Sequence, residues 1–510
     1  TPDHPQLYYL SLAYADKKQV RTAQVERFGY RDFKVQGNAF YLNGTRVYLF
    51  GENLSAVGYG GVGVDQETEK QRIAAKLVNF RRQGYTIVRN PHMPIVPAAL
   101  EAADEVGIMN YNEWAWAFTD WLDEAAFEEN NLREVQEWVW RDYNHPAVVM
   151  WSLGNEVKHA NKPDVCRQMD KQAALVRQLD RSGRPLCTFS GVAGLGSYGR
   201  EKLQTDFLDL HTYLGLSASA WTNWETNFET TLNSNLEVYG AGGQLGMPFV
   251  IWECVGYSWG GKSDSSFTLN EIDKYAAYAE KQTSWADPQG IGFAGTIGLE
   301  AALDPKRGLQ FGRDHYGKRT MEFIRYQQEA ISGFAPWFHD SDTSAAALWN
   351  QPLFVGLRWP DGRILTNLFS GRSYQQNLYL VNSQSRLLRD LALKLTLVGP
   401  DGSQRNLSTI DLDTLAAWEK WERSIQLVIP SQLPAGNYQL RLQVLSGSEE
   451  LSRNFYDLFI QRDDIRTTAI ATGKRVAVWQ TNTESDLKLR QILNDLRIPF
   501  AQVSQLAELA

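Results

Sequence analysis

The chain has 510 residues, 43% hydrophobic and 22% charged, an ordinary globular composition that excludes a disordered or fibrous polymer. A net charge of −8 offers no basic footprint for nucleic acid, and no apolar run approaches the ~18 residues of a membrane span. Three cysteines, Cys166, Cys187 and Cys254, supply neither a disulfide framework nor a paired zinc motif.

At roughly 150 residues per domain the length implies about three to four domains. The unusual figure is aromatic: 17 Trp, 22 Tyr and 22 Phe suit sugar-stacking sites as well as a β-rich core. The opening TPDHPQLYYL carries no signal peptide, so compartment is weakly constrained, with periplasm or secretion placed ahead of the cytoplasm.

In chain order, Gln6–Ala13 and Arg21–Phe28 read as two strands. Thirty residues cannot bury a core alone, so residues 1–30 are expected to be the end of a β-sandwich. A hairpin follows, with Asn43-Gly44 at its turn. Eight short apolar runs come next: Val47–Phe50, Tyr85–Val88, Ile108–Tyr111, Val148–Leu153, Leu186–Phe189, Phe207–Leu210, Phe249–Trp252 and Ile291–Ile297. Amphipathic helices are expected between them over 66–83, 97–106, 131–143 and 163–180. Strands alternating with helices over about 270 residues have the size and count of a (β/α)8 barrel, assigned to 31–335. The rival is an open doubly wound sheet, but no G-x-G-x-x-G turn follows the first strand; the Gly-rich GYGGVGVD (58–65) reads as a barrel loop.

After residue 340 the pattern becomes period two: Tyr374–Val381, Leu391–Val398, Ser424–Ile429, Tyr438–Val444 and Ser452–Phe459 predict a β-sandwich over 340–462. Strand Lys474–Trp479, helix Glu484–Leu496 and the following IPFAQV predict the start of an α/β domain over 470–510, left incomplete.

Active sites of (β/α)8 barrels lie at the C-terminal ends of their strands. The fourth strand, VVMWSLGNEV, ends in Asn155-Glu156; the seventh, PFVIWECVG, ends in Glu253. Two carboxylates facing each other across a barrel mouth suit glycoside hydrolysis, one protonating the leaving oxygen and the other attacking the anomeric carbon. Taken singly, either glutamate would equally serve as a rim ion pair. Cys254 falls on the other side of its strand and reads as core, since no histidine partner lies near it in sequence.

The stretch NHPAVVMWSLGNEV resembles the signature of glycoside hydrolase family 2, which contains β-galactosidases, β-glucuronidases and β-mannosidases. HPQLYYLSLAY, FGYRDFKVQGNAFYLNGTRVYLFGEN, VRNPHMPIVPAALEAADEVGIMNYNE, DLHTYLG, MPFVIWECVG and RGLQFGRDHYGK are similar to further family segments in the same order, over about residues 5–325. The resemblance implies an immunoglobulin-like sandwich element, then a barrel, then a second sandwich. It implies Glu156 as acid/base, Glu253 as nucleophile, and retention of configuration through a covalent glycosyl-enzyme. It further implies that Asn155 contacts the sugar 2-hydroxyl, Arg89 orients the nucleophile, His92 contacts the sugar, and the Tyr213 hydroxyl bonds the nucleophile. His211, also a substrate-side candidate, stands where relatives often carry Asn, and Glu113, ending the third strand, reads equally as a contact for a sugar hydroxyl or as a plain rim charge.

Some family features are not matched. The E-x-H that metal-assisted β-galactosidases carry after the third strand reads Ala117-Phe118-Thr119, so no metal is expected. The N-x-K of β-glucuronidases is compared with DPKRG (304–308), which places Pro305 where Asn would stand, leaving Lys306 and Arg307 as substitutes. GTIGLEAA (295–302) lacks the strand-eight Trp that floors the sugar subsite, leaving Trp114, Trp116, Trp252 and Trp259 as candidates. The implied activity is a retaining exo-β-glycosidase on a β-glycoside or oligosaccharide, first a β-galactosidase, then a β-glucuronidase or another β-glycosidase. No cofactor, nucleic-acid or membrane partner is expected, and homo-oligomerisation stays open. The rival from another class is a carbohydrate-binding protein on the same barrel without turnover.

Overall fold

The computed structural model describes residues 2–16, 19–54, 65–117, 125–157, 162–191, 204–211, 246–254, 318–336, 346–358, 367–463, 476–479, 489–490, 493–494 and 498–504. The chain divides into two compact units: residues 1–356 with 379–389 and 414–421, and residues 357–378 with 390–413 and 422–510.

The first unit is built on eight parallel strands. In sheet order they are Leu186–Cys187, Val148–Ser152, Met109–Glu113, Ile87–Arg89, Leu49–Asn53, Gly333–Phe334, Phe249–Glu253 and Leu208–His211. The two ends of that order meet through a parallel bridge between Gly191 and Leu210, with the Gly191 N–H donating to the Asp209 carbonyl at 2.9 Å. A (β/α)8 barrel results. Every residue of Val148–Ser152 and of Phe249–Glu253 is buried, as expected for strands covered on both faces and rich in Val, Ile and aromatic residues.

Helices Gln66–Arg82, Pro97–Val106, Ala125–Asp142 and Pro163–Leu179 lie between the early strands. Their ends follow local chemistry. Asp65 caps the first by accepting from the Thr68 N–H at 2.9 Å, and Pro97 opens the second, which stops at Gly107 in the left-handed region. The third starts earlier than its apolar spacing suggested, because its first turns, AAFEEN, contribute little to the apolar stripe.

Phe33–Gln36, Ala39–Leu42 and Thr45–Val47 form the expected small antiparallel sheet, with Asn43 (φ 51°) and Gly44 (φ 79°) both left-handed, as a two-residue hairpin turn requires. It carries Phe33 and Phe40 into the barrel core, where Phe40 meets Phe207 at 5.5 Å beside Tyr111, Met150 and Trp252. Each large side chain buried this way contributes about 1.5–3 kcal/mol. Tyr8–Asp16 and Gln19–Phe28 form an antiparallel pair that exposes Tyr9, Leu12 and Tyr14.

One strand expectation is corrected. Gly333–Phe334 pairs between the seventh and first strands and is the eighth strand. Ile291–Ile297 had drawn that role through its apolar character; it lies outside the described residues, as do residues 58–64 of the Gly-rich loop. The segment RGLQFGRDHYGK therefore precedes helix Lys318–Tyr326 and the eighth strand rather than following the barrel. DPKRG likewise lies before that strand, so its comparison with a motif placed after strand eight lapses. The eighth strand is easy to miss because it is two residues long and contains a glycine.

The second unit has a five-stranded sheet in the order Asn367–Phe369, Glu449–Gln461, Gly436–Ser446, Leu388–Val398, Gln404–Leu415. Alternating burial along Gly436–Ser446 shows one face turned to a core. Gln404–Leu415 was not foreseen, because Gln, Arg, Asn, Ser, Thr and Asp occupy most of it and leave no apolar stripe; it lies at the sheet edge and is mostly exposed. Near the C-terminus, Val476–Trp479 pairs in parallel with Phe500–Val503, a β-α-β connection whose helix falls largely outside the described residues. Among the described residues, no helix is long and apolar enough to cross a membrane.

Gly333 has no room for a side chain: a Cβ there would meet Leu49 Cβ at 2.6 Å and the Leu49 carbonyl at 2.9 Å. Gly333→Val should therefore destabilise the first unit by about 1–3 kcal/mol, read as a lower denaturation midpoint in urea. An unchanged midpoint would contradict the strand-eight register.

Candidate active site

The chemistry collects where the strands end. Arg89 is the last residue of the second strand, Glu113 of the third, His211 of the sixth and Glu253 of the seventh; Asn155 and Glu156 follow the fourth. Each short strand lifts its final side chain to the same rim, so residues far apart in sequence converge there.

Arg89 is the hub. It is wholly buried, and its fork donates Nε to Glu113 Oε2 at 2.9 Å, Nη2 to Glu113 Oε1 at 3.0 Å and Nη1 to Glu253 Oε1 at 2.7 Å. Nη2 also donates to Asn155 Oδ1, and Nη1 reaches Asn53 Oδ1 at 3.4 Å. Burial works against this charge, but Glu113, Glu253 and Asp209 outweigh it and hold the guanidinium well above its ordinary pKa.

Glu113 has no accessible surface, and its oxygens are taken by Arg89, the His92 N–H at 2.6 Å and the Ser152 hydroxyl at 2.9 Å. It holds Arg89 and does not reach into open space for a sugar hydroxyl. Burial alone would raise its pKa; Arg89 and His92 prevail and hold it at about 2.

The two residues expected to be catalytic differ in environment. The Glu253 side chain is 2% exposed and that of Glu156 34%. Burial raises the pKa of Glu156, with Glu113 adding to the effect and Arg89 and His92 opposing it. Between them stands His211, whose Nδ1 lies 2.8 Å from Glu156 Oε1 and 3.4 Å from Glu253 Oε1. One carboxylate oxygen of Glu156, one of Glu253 and a His211 nitrogen all fall within 4.8 Å of one another. Burial pushes the His211 pKa down to about 3, outweighing the attraction of Glu253, so the ring is neutral at neutral pH.

Asn155 is buried; its Oδ1 is fixed by Arg89, and its Nδ2 has no partner among the described residues. His92 (φ 72°) and Glu156 (φ 44°) occupy the left-handed region, which costs about 1–3 kcal/mol each for a residue with a side chain. His92 Nδ1 lies 3.7 Å from Glu113 Oε1. Tyr213 lies outside the described residues.

Trp114, Trp116 and Trp252 are buried, and Trp252 packs on Tyr111 at 5.4 Å, so these three belong to the core rather than to an open sugar platform. Trp259 lies outside the described residues. In sequence, Ala335-Pro336-Trp337 follow the corrected eighth strand and supply a tryptophan where the resemblance calls for one; Trp337 itself lies outside the described residues. Cys254 is buried and its Sγ contacts the Ala335 carbonyl at 3.4 Å, a packing role.

The sequence reading did not single out Asn53, Ser152, Ser190 or Asp209. Asn53 Nδ2 donates to the Trp252 and Pro336 carbonyls at 3.0 and 3.2 Å, tying the first strand to the seventh and eighth. A usable signal was present: Asn53 ends the first strand as Arg89 ends the second, and Asp209 lies two residues before His211.

Comparison with known proteins agrees with the barrel fold. Residues 33–235 match the family described as "Glycosyl hydrolases family 2, TIM barrel domain". The chain is 34% identical over 157 residues to a putative β-glucuronidase of Formosa agariphila, covering 30% of this chain and 18% of that protein. It is 26% identical over 194 residues to a β-galactosidase of Thermoanaerobacterium thermosulfurigenes, covering 35% of this chain and 26% of that protein. Among solved structures, a β-D-mannosidase from Dictyoglomus thermophilum shares the fold with a TM-score of 0.59 at 14% identity, over 89% of this chain and 56% of that one. The matched stretches thus span about a quarter or less of these two relatives' lengths.

A depressed folded-state pKa means stability that is full above the unfolded value near 4.5 and is lost as pH falls toward about 2. Glu113→Gln should therefore flatten the loss of stability between those two pH values, measured by urea unfolding across an acid series, while lowering stability at pH 7 by about 3 kcal/mol. An unchanged acid slope would show that Glu113 is not the buried partner of Arg89.

Proposed function

This chain belongs to glycoside hydrolase family 2 through its barrel, and from that premise we propose that it is a retaining exo-β-glycosidase. The observation that carries the reading is the meeting of Glu156 and Glu253 oxygens within 4.8 Å. Retaining glycosidases hold their carboxyl groups about 5–5.5 Å apart, whereas inverting ones leave about 6.5–9.5 Å for a water.

Glu156 suits the acid/base role. Burial raises its pKa and so favours the protonated form an acid needs, and its partial exposure lets it meet a leaving group. In the first step its proton passes to the glycosidic oxygen as Glu253 attacks the anomeric carbon, and the bond to the leaving group breaks. In the second step a water attacks that carbon, Glu156 takes the water's proton, and Glu253 departs as carboxylate. Arg89 fixes Glu253 Oε1 at 2.7 Å and so aims the nucleophile. Because Asn155 Oδ1 is committed to Arg89, its Nδ2 is left to donate to the sugar 2-hydroxyl. His92 and Tyr213 are assigned to the substrate side by resemblance alone.

For the sugar, the first reading is a β-galactoside and the second a β-glucuronide. The absence of N-x-K in residues 337–366, which follow the eighth strand, supports the first; the name of the 34%-identical relative supports the second. A panel of nitrophenyl β-glycosides tests both together with the enzyme class. Release from the galactoside or the glucuronide assigns the sugar. Binding of oligosaccharides without release from any glycoside would establish the carbohydrate-binding reading instead.

Glu253→Ala should lower turnover by at least ~10³-fold, and azide should restore it with formation of an α-glycosyl azide. Wild-type rates in that variant would remove Glu253 as nucleophile. Trp337→Ala should raise KM about tenfold with kcat less affected, consistent with loss of a stacking floor worth roughly 1–2 kcal/mol; an unchanged KM would show that the floor lies elsewhere.

A further inference from the structure

Behind His211 lies a buried chain of groups that the mechanism above leaves unused. Ser190 Oγ stands 3.3 Å from His211 Nε2 and 2.7 Å from Asp209 Oδ2, and the Tyr111 hydroxyl donates to the same Oδ2 at 3.1 Å. Asp209 is 3% exposed, and its Oδ1 has no hydrogen-bond partner among the described residues. Gly191, next to Ser190, is left-handed at φ 74°, and a Cβ there would lie 2.1 Å from His211 Nδ1. Only glycine lets this backbone lie against the imidazole, so the contact between the 190–191 segment and the ring is built into the fold.

We infer that Glu156 and Asp209 share one proton through Ser190 and His211. This rests on the acid/base role proposed for Glu156 and supplies a positioning function for three residues behind it. The chain has two arrangements. With Asp209 ionised, Ser190 donates its hydroxyl proton to Oδ2 and accepts from Nε2–H, which leaves the Nδ1 lone pair to accept from the protonated Glu156 carboxyl. With Asp209 protonated, Oδ2–H donates to Ser190, Ser190 donates to Nε2, and Nδ1–H donates to ionised Glu156.

The exchange balances. The Glu156 proton moves to Nδ1, the Nε2 proton to Ser190 Oγ, and the Ser190 proton to Asp209 Oδ2. Each intermediate group gains one proton and loses one, and the net charge of the buried cluster is unchanged. The charged and titratable neighbours facing the chain are Arg89 and His92 from the second strand and its loop, Tyr111 and Glu113 from the third strand, Cys187 from the fifth and Glu253 from the seventh. Burial keeps Tyr111 and Cys187 in their neutral forms, and raises Asp209 to about 7 against the pull of Arg89, so Asp209 can hold or release a proton near neutrality.

The test pairs a spectroscopic readout with a kinetic one. Nitrogen-15 NMR of the histidine-labelled protein, with the signal assigned through His211→Gln, should show neutral His211 populating both tautomers below about pH 7, while the cluster holds its shared proton. The exchange between them should vanish in Asp209→Asn and Ser190→Ala and persist in Ser190→Thr. A single tautomer in the wild type from about pH 5 to 9 would overturn the inference whether or not the protein hydrolyses glycosides. In kinetics, Asp209→Asn locks Nδ1–H toward Glu156 and favours its ionised form. The variant's kcat/KM should fall about tenfold for a phenyl glycoside, which needs acid assistance, and stay within about twofold for a 2,4-dinitrophenyl glycoside, which does not. The alkaline limb of its pH profile should move down by about one unit. Equal losses on both substrates, or none on either, would reduce Asp209 to a packing residue.

Discussion

The site depends on one buried cation. Arg89 has no contact with solvent, and an isolated guanidinium there would be untenable. It survives because Glu113 grips it with both oxygens and Glu253 and Asn155 take what remains of its fork. Two carboxylates against one guanidinium would still leave a surplus negative charge, and the N–H of His92 and the hydroxyl of Ser152 settle it on Glu113. Arg89 Nη1 anchors Glu253 Oε1 at 2.7 Å. A carboxylate so held is oriented, which is a condition a nucleophile needs.

Glu156 is treated differently by the same fold. It sits beyond the end of its strand, in a left-handed conformation, and turns its side chain to a neutral imidazole rather than to the arginine. Two identical side chains are thereby separated by environment: one is fixed by a cation, and the other is biased toward its protonated form by burial. Backbone strain at His92 and Glu156 lies where loops leave the strands, so the scaffold beneath is not distorted.

Much of this was legible in the sequence, and the exceptions have physical causes. Seven barrel strands were visible because each is an apolar run long enough to register, and Asn155-Glu156 and Glu253 stood out as polar endings to buried strands. The eighth strand escaped because two residues with a glycine carry no pattern, while Ile291–Ile297 imitated one. Gln404–Leu415 escaped because an edge strand need not be apolar. Glu113 was placed at the right strand end but assigned to substrate; a one-dimensional reading shows a charge at a rim and cannot show that another chain segment covers it. Asp209 was passed over because an acid inside an apolar strand reads as an interruption until the Ser190 and Tyr111 partners are seen beside it.

The bond from Arg89 to Glu253 joins residues 164 positions apart, one from the early and one from the late part of the barrel. A polypeptide emerging in order from the ribosome would hold the arginine and Glu113 long before the residue that completes the cluster had been synthesised. Until then Arg89 and Glu113 already balance each other's charge, and only the Nη1 contact to Glu253 is still to be made. Completion of the cleft thus waits for the seventh strand, and a chain divided ahead of that strand would have to bring its halves together to form this bond as well as the apolar contacts.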